Sequence, residues 1–210
     1  CLTIINHRRF RCTMGPDASK GHVEIERRFL VNTQGAQPWR EGEKSSQISQ
    51  FYLHSSEVVE EGGWLSYMGV RRFQKMEELE LELFRAEPGW IPRLRLVDDQ
   101  AVFTLKGRRT NASAYELEWV VSLQIGQRIV TTDAYPSVSK CRYEWCGEDE
   151  LLWEVDEFQG DLEGLMLAEV ELPDEAHPVE LPNWLGVEIT GDQSWSNAQL
   201  ARSGRPVKQP

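Results

Sequence analysis

The stretch Val23–Val31, VEIERRFLV, alternates charged and apolar residues along most of its length. Because successive side chains of a β-strand point to opposite faces, a strand here carries Glu24, Glu26 and Arg28 on one face and a mostly apolar row on the other. Half-exposed strands often alternate in this way, so the stretch identifies a strand without identifying a function. It gains weight because the rest of the chain repeats the pattern with the sign of the charge sorted strand by strand.

Length and composition restrict the class of protein. A chain of 210 residues suits one domain with a large core, and its eight Trp predict a well-filled apolar layer. The 34 acidic and 23 basic residues give a net charge of −11. That balance argues against a general nucleic-acid or membrane-surface binder, so an anionic ligand would need locally clustered Lys and Arg.

Motifs for zinc, secretion and membrane insertion are lacking. The four Cys (Cys1, Cys12, Cys141 and Cys146) and the four His do not follow zinc-ligand spacing, and we expect Cys141 to be a reduced core thiol. The chain has neither a long apolar run nor the apolar region of a secretory signal, which predicts a cytoplasmic protein. We expect residues 1–22 to be a disordered leader, with a remnant of a targeting arm as the alternative, and residues 203–210 to be a tail whose end, Arg205–Pro210, is frayed.

Eight segments have the alternation or composition of strands, and short turn-rich stretches separate most of them. They are residues 23–31, 50–55, 93–97, 101–107, 114–123, 139–145, 151–158 and 166–172. We predict a loop over 32–46, short helices over 123–132 and 192–202 (the second capped by Asp192), and an insertion over 57–90 whose amphipathic element at 75–85 suits either a strand or a helix. The prediction is a mainly β (α+β) fold, an eight-stranded antiparallel β-barrel with flanking helices.

Charged residues of like sign share strand faces throughout this barrel. The sets are Glu24 and Glu26 with Arg28, then Arg93 and Arg95, Lys106, Glu116 and Glu118, Lys140 and Arg142, Glu154 and Asp156, and Glu169 and Glu171. Same-face neighbours are only about 7 Å apart, and like charges at that distance repel. A merely solvated face, which is the alternative, would mix the signs. The pattern therefore favours an interior where carboxylates meet cations and basic groups meet a polyanion.

Such an interior must be hydrated, because burying so many ionisable groups dry is prohibitive unless they are paired or ligated. We therefore expect a hydrophilic tunnel, with the large apolar residues packed outside the barrel against helices and loops.

These segments resemble the CYTH domains, also called triphosphate tunnel metalloenzymes. VEIERRF resembles the E-x-E-x-K signature of that family, and RLRL, FTLKG, YELEW, KCRY, WEVDEF, LAEVEL and ITGDQSWSNAQLA follow in the order of the family. The resemblance covers about residues 22–202 apart from the insertion. It implies one domain over 23–202, built as an eight-stranded tunnel that binds a triphosphate and divalent cations.

The resemblance also implies roles for individual residues. The acids expected to bind Mg²⁺ or Mn²⁺, which prefer oxygen ligands, are Glu24, Glu26, Asp156, Glu169 and Glu171. The residues expected to bind the phosphate groups are Arg28, Arg93, Arg95, Lys106, Lys140 and Arg142. The expected general base is Glu118 with Glu116 beside it, and Tyr52 resembles a tyrosine that cooperates with the signature lysine in inorganic tripolyphosphatases.

Two positions depart from the family pattern. Arg28 stands where the signature has Lys, and because Arg keeps its proton near neutral pH it can act here as an electrostatic clamp but not by proton transfer. Trp195 stands where relatives often carry Tyr.

We therefore predict metal-dependent hydrolysis of inorganic triphosphate to pyrophosphate and phosphate. Alternatives on the same site are thiamine, nucleoside or RNA 5′-triphosphate hydrolysis or adenylyl cyclisation, and a non-catalytic polyphosphate- or nucleotide-binding module is an alternative of another class. We expect a small-molecule triphosphate as the partner, without nucleic acid or membrane. The sequence leaves the oligomeric state open.

Overall fold

A computed structural model describes residues 23–42, 44–108 and 113–206. The leader predicted at 1–22 and the tail from residue 207 lie outside the described residues. The strands are β1 (Val23–Val31), β2 (Lys44–Tyr52), β3 (Val58–Glu61), β4 (Trp64–Tyr67), β5 (Val70–Lys75), β6 (Ile91–Val97), β7 (Gln100–Lys106), β8 (Ser113–Val121), β9 (Ser137–Cys146), β10 (Leu152–Phe158), β11 (Met166–Glu171) and β12 (Leu185–Glu188). The α-helices are α1 (Glu78–Ala86), α2 (Leu123–Val130) and α3 (Asn197–Ser203).

Eight of these strands close into an antiparallel barrel. Their order is β11-β10-β9-β2-β6-β7-β8-β1, and the pairing of β1 with β11 joins the two ends. The short β12 pairs with the last residues of β1 as one extra strand. The predicted eight-stranded barrel with flanking helices is confirmed.

The predicted loop over 32–46 is wrong at its end. A short 3₁₀ helix occupies Pro38–Glu41, and β2 begins at Lys44, several residues before the strand predicted at 50–55. The polar composition of this stretch hid a strand whose ladder partners, β6 and β9, come much later in the chain.

The insertion over 57–90 forms a small sheet and a helix. Its strands β3, β4 and β5 pair in sequence order, and the first turn uses Gly62 and Gly63 at φ +59° and +80°, where glycine is favoured. The ambiguous stretch becomes α1, because a capping box between Glu77 and Glu80 starts the helix. Leu83 of this helix packs against the barrel's outer face.

Large apolar residues cover the outside of the barrel, as predicted. One cluster lies under the insertion, α1 and α2 and includes Leu94, Phe103 and Trp119. A second cluster includes Trp39, Trp153 and Trp184, which stack at tilted or perpendicular angles. Because Leu94 lies between Arg93 and Arg95 in β6, its outward direction turns both arginines inward.

Helix α2 lies very close to β7. A Cβ placed on Gly126 would be 2.4 Å from the Cβ of Ala101, so the close approach requires glycine.

Cys141 and Cys146 are free, half-buried thiols. Within the described part of the chain, no helix combines the length and apolar character needed to cross a membrane.

Candidate functional site

The barrel encloses a cavity of about 1670 Å³, lined by all eight of its strands together with residues around α3. Most of the residues singled out from the sequence line it. They are Glu24, Glu26, Arg28, Tyr52, Arg93, Arg95, Lys106, Glu116, Glu118, Arg142, Glu169 and Glu171. Lys140 and Asp156 are not part of the lining, since both are buried behind it with 1% of the residue exposed.

The pairing of β1 with β11 sets one side of the cavity. Glu26 lies directly opposite Glu171, and Arg28 lies directly opposite Glu169. Arg28 is buried, and its Nε donates to Glu169 Oε1 at 2.7 Å and lies 3.9 Å from Glu26 Oε1. This side therefore holds one cation that is already paired and one facing pair of carboxylates.

The opposite side, from β6 to β8, carries a network of alternating charge. Arg93 Nη2 lies 3.2 Å from Glu116 Oε1, and Arg95 contacts Glu118 closely. Thr104 Oγ1 also donates to Glu118 Oε2, at 2.9 Å. These contacts keep the two arginines on β6 in fixed positions along the cavity wall.

Lys106 joins this network to β1. Its Nζ lies 2.5 Å from Glu24 Oε2 and 3.3 Å from Glu116 Oε2. Burial opposes ionisation of Glu116, but Arg93 and Lys106 outweigh it and lower the pKa of Glu116 far below its usual range. Glu116 is therefore a weak proton acceptor.

The carboxyls near the start of β1 and the end of β11 have raised pKa values. Partial desolvation by the cavity wall, together with Glu154 and Glu26, raises the pKa of Glu171 to about 7, although the residue remains accessible to solvent. Burial raises the pKa of Glu24 as well, even though Lys106 acts against it. By contrast, Arg28 and Arg142 overcome burial at Glu169 and lower the pKa of that carboxyl. The carboxyls with raised pKa values, Glu24 and Glu171, thus lie on either side of Glu26 on the cavity wall.

Several buried guanidinium atoms keep unused hydrogen-bonding capacity. Arg28 Nη2, Arg93 Nε and Arg95 Nε have no hydrogen-bond partner among the described residues. A buried donor without an acceptor is costly, so such atoms indicate a missing anionic partner. All three arginines line the same cavity.

Tyr52 is a buried residue at the α3 side of the cavity. It lies opposite Arg93 in the β2–β6 ladder, and its hydroxyl accepts a short hydrogen bond from Gln50 Nε2. Burial raises the pKa of Tyr52 to about 12, with Arg93 acting in the other direction. The guanidinium of Arg202 lies 5.7 Å from the ring centroid of Tyr52.

The segment around α3 closes part of this end of the barrel. Trp195 and Leu200 pack against Val138, Phe158 and Leu167, which share strand faces with the charged interior residues. The predicted cap at Asp192 exists, but it accepts from Ser194 N and caps the 3₁₀ helix Gln193–Trp195. Ser196 caps α3 itself.

Some lining residues were not selected from the sequence. Gln50 and Glu144 continue the same-face alternation next to Tyr52 and Arg142, so the period-two pattern contained a signal for both. Arg202 on α3 had no such signal, because only the folded chain brings it to Tyr52.

A hard divalent cation fits the donor type on the acidic side. Carboxylate oxygens suit Mg²⁺ or Mn²⁺, and Glu26 and Glu171 place two such groups directly opposite each other on the cavity wall. Within residues 23–42, 44–108 and 113–206, no three carboxylate, His or Cys side chains are already gathered at metal-binding distance. The donors are therefore present in the cavity, and several of them are held by arginine or lysine.

Comparison with known proteins gives the family. A protein of Acetivibrio thermocellus named inorganic triphosphatase is 38% identical over 112 residues, which cover 53% of this chain and 71% of that protein. An inorganic triphosphatase of Nitrosomonas europaea is 43% identical over 68 residues, 31% of this chain and 45% of that protein. No family model matches the chain.

A solved structure has the same architecture. The crystal structure of the inorganic triphosphatase NE1496 superimposes with a TM-score of 0.53 at 27% identity, covering 87% of this chain and 97% of that one. The chain belongs to the CYTH-like family of inorganic triphosphatases, which confirms the resemblance found in the sequence.

Proposed function

We propose that this protein hydrolyses inorganic triphosphate to pyrophosphate and orthophosphate inside the barrel, with the help of a divalent cation. The observation that carries the proposal is the set of buried guanidinium atoms on Arg28, Arg93 and Arg95 that have no hydrogen-bond partner in the described part of the chain, on residues that all line one cavity. The names of the relatives, inorganic triphosphatase, support the same substrate.

The clamp consists of five cations on the cavity wall, which are Arg28, Arg93, Arg95, Lys106 and Arg142. Arginine forks bind two phosphate oxygens at once, and the Lys106 ammonium gives a point contact. Each cation is already held by a carboxylate, so little side-chain order must be gained when the anion binds.

Glu24, Glu26 and Glu171 are the acids that would hold the cation, because they line the cavity together: Glu24 and Glu26 share a face of β1, and Glu171 lies directly opposite Glu26. Mg²⁺ or Mn²⁺ bound there would neutralise phosphate charge and acidify a bound water. Glu169 is committed to Arg28 and Arg142, which leaves it less available as a ligand. The choice between Mg²⁺ and Mn²⁺ and the cytoplasmic location remain predictions from the sequence.

Glu118 would act as the general base. Its carboxylate is more accessible than that of Glu116, with 39% of the side chain exposed against 16%. A water attacks the terminal phosphorus and gives its proton to Glu118. The bond from that phosphorus to the bridging oxygen breaks, and its electron pair leaves on pyrophosphate. Arg93 and Arg95 stabilise the charge that develops on the phosphoryl oxygens.

The lining favours an inorganic over an organic triphosphate. Among the described residues, Tyr52 is the one Phe, Tyr or Trp side chain of the cavity wall, and it is buried under Arg202. Among the described lining residues, a purine, pyrimidine or thiazolium ring would therefore find only the half-buried His177 imidazole as a further aromatic contact, whereas a bare phosphate chain needs none.

Phosphate release from purified protein tests the proposal. The substrates are tripolyphosphate, thiamine triphosphate, ATP and pyrophosphate, each with Mg²⁺, Mn²⁺ or EDTA. We expect release from tripolyphosphate with either metal, none with EDTA, and at least about tenfold lower kcat/KM for the organic triphosphates. Equal rates on ATP would refute the substrate assignment, and binding without turnover would indicate a non-catalytic module.

A further inference from the structure

Lys140 on β9 and Asp156 on β10 form an ion pair that is cut off from the cavity. Each is 1% exposed, and Lys140 Nζ donates a short hydrogen bond to Asp156 Oδ2. The ammonium lies 5.7 Å from the centroid of the Phe158 ring. In the strand ladders Lys140 lies opposite Phe158 and Ile48, so apolar side chains flank it on both sides.

Asp156 is also the main anchor of Arg142. Arg142 Nε donates to Asp156 Oδ1 at 2.7 Å, and Arg142 Nη2 donates to Asp156 Oδ2 at 2.7 Å. The two bonds form a bidentate pair, which fixes the plane of the guanidinium as well as its position. With the bond from Lys140, both oxygens of Asp156 are occupied.

Arg142 connects the buried ion pair to the cavity. Unlike its two anchoring neighbours it lines the cavity, where it contacts Glu154 closely and lies 3.2 Å from Glu169 Oε2. It is the residue through which the buried pair reaches the site.

We propose that Asp156 and Lys140 are positioning residues that hold Arg142 in place for phosphate, and that they act as neither a metal ligand nor a phosphate contact. The inference rests on the proposed function, because it assigns Arg142 to the triphosphate clamp. A cation could reach the Asp156 oxygens only by displacing Arg142 and Lys140 together, and a phosphate could reach Lys140 only past Asp156 and its apolar neighbours.

Lys140 has a distinct part in this arrangement. Burial opposes ionisation of Asp156, but Arg142 and Lys140 outweigh it and lower the pKa of Asp156. With two cations beside it, Asp156 stays ionised although it is buried, and Arg142 keeps a charged acceptor.

Two binding measurements on Asp156→Asn test the proposal without relying on turnover. Calorimetry with tripolyphosphate in EDTA measures the clamp, and calorimetry with Mn²⁺ alone measures the metal site. We expect the Kd for tripolyphosphate to rise about tenfold and the Kd for Mn²⁺ to stay within about twofold of wild type. A large loss of Mn²⁺ affinity, or unchanged tripolyphosphate affinity, would overturn the proposal.

Two further variants test whether the effect comes from an unpaired buried charge and whether it depends on Arg142. Because Asp156→Asn leaves Lys140 buried without a charged partner, the double variant Lys140→Met/Asp156→Asn removes both charges and should show the same two Kd values as Asp156→Asn. Arg142→Lys, which keeps the charge and loses the fork, should weaken tripolyphosphate binding similarly, and wild-type affinity in it would contradict the role of Arg142.

Glu171→Gln is the control for the metal site. We expect it to show the reverse of Asp156→Asn, with weaker Mn²⁺ binding and unchanged tripolyphosphate binding. If the wild type binds both ligands yet releases no phosphate, the proposed hydrolysis fails while the positioning role is still decided by these Kd values. If the wild type does not bind tripolyphosphate in EDTA, Arg142 has no anion to hold and the positioning role is refuted.

Discussion

Glu26 on β1 lies directly opposite Glu171 on β11, so two carboxylates of the barrel interior face each other across one strand pair. Like charges in that position destabilise a sheet unless a cation compensates them. The adjoining pair on the same strands, Arg28 and Glu169, has opposite signs and is joined at 2.7 Å. In the proposed function, the acidic end of the cavity would bind the divalent cation and the arginine-rich part would bind the phosphate groups.

Glu171→Gln removes one member of the facing pair. In the metal-free protein it should relieve repulsion worth about 0.2–1 kcal/mol and raise Tm by roughly 1–4 °C. It should also weaken Mn²⁺ binding by about tenfold or more, which calorimetry measures. Glu82→Gln, on the exposed face of α1, is the control and should change neither quantity.

The stability of the metal-free protein should fall as pH rises from about 5 to 8. The pKa of Glu171 is raised to about 7 and that of Glu24 is also raised, so in this range the folded protein binds more protons than the unfolded chain does. Unfolding is then favoured as pH increases through the window. Thermal melts in EDTA should show this slope, and saturating Mg²⁺ should reduce it. A melt that is independent of pH in EDTA would contradict the raised pKa values.

Glu118→Gln should abolish turnover and preserve binding. The amide keeps the size of the side chain and an acceptor oxygen for Thr104 and Arg95 but cannot take a proton, so kcat should fall by roughly 10²–10⁴-fold. The Kd for tripolyphosphate should remain near that of the wild type. Substantial residual kcat would assign the base to another group.

Arg93→Ala should weaken substrate binding. It removes a cation of the cavity wall that lies 3.2 Å from Glu116, so kcat/KM should drop by about 10- to 100-fold. Arg128→Ala, on the exposed side of α2, is the matched control and should behave like the wild type. Wild-type kinetics in Arg93→Ala would remove this residue from the clamp.

Arg28→Lys restores the family's signature residue. Arg28 binds Glu169 through Nε and keeps Nη2 without a partner among the described residues, so it can contact a phosphate at the same time. Lysine offers only a point charge, so we expect kcat/KM to fall by about 3- to 10-fold. An increase in kcat would show instead that a proton-transferring lysine is missing from this chain.

Local alternation in the sequence predicted much of the fold. The strand Val23–Val31 and the hairpin of β6 and β7 emerged with nearly their observed bounds, because a period of two and turn residues are local signals. The alternating Glu and Leu of 78–83 also have a period of two, yet helix propensity and the capping box of Glu77 with Glu80 prevailed. The sheet of β3 to β5 escaped prediction because its short strands lack clear alternation.

Local signals did not reveal which charges meet. That Glu26 faces Glu171 while Asp156 is enclosed by Arg142 and Lys140 depends on the register of a closed barrel, which no single strand encodes. Arg202 shows the same limit, since its contact with Tyr52 depends on the packing of Trp195 and Leu200 against the barrel strands.

Phosphorus NMR of the reaction mixture tests the central claim most directly. With Mg²⁺ or Mn²⁺ present, the signals of tripolyphosphate should be replaced by those of pyrophosphate and orthophosphate in equal amounts, and Glu118→Gln should leave tripolyphosphate intact. Persistence of tripolyphosphate with the wild-type protein, or equal turnover by Glu118→Gln, would contradict the account.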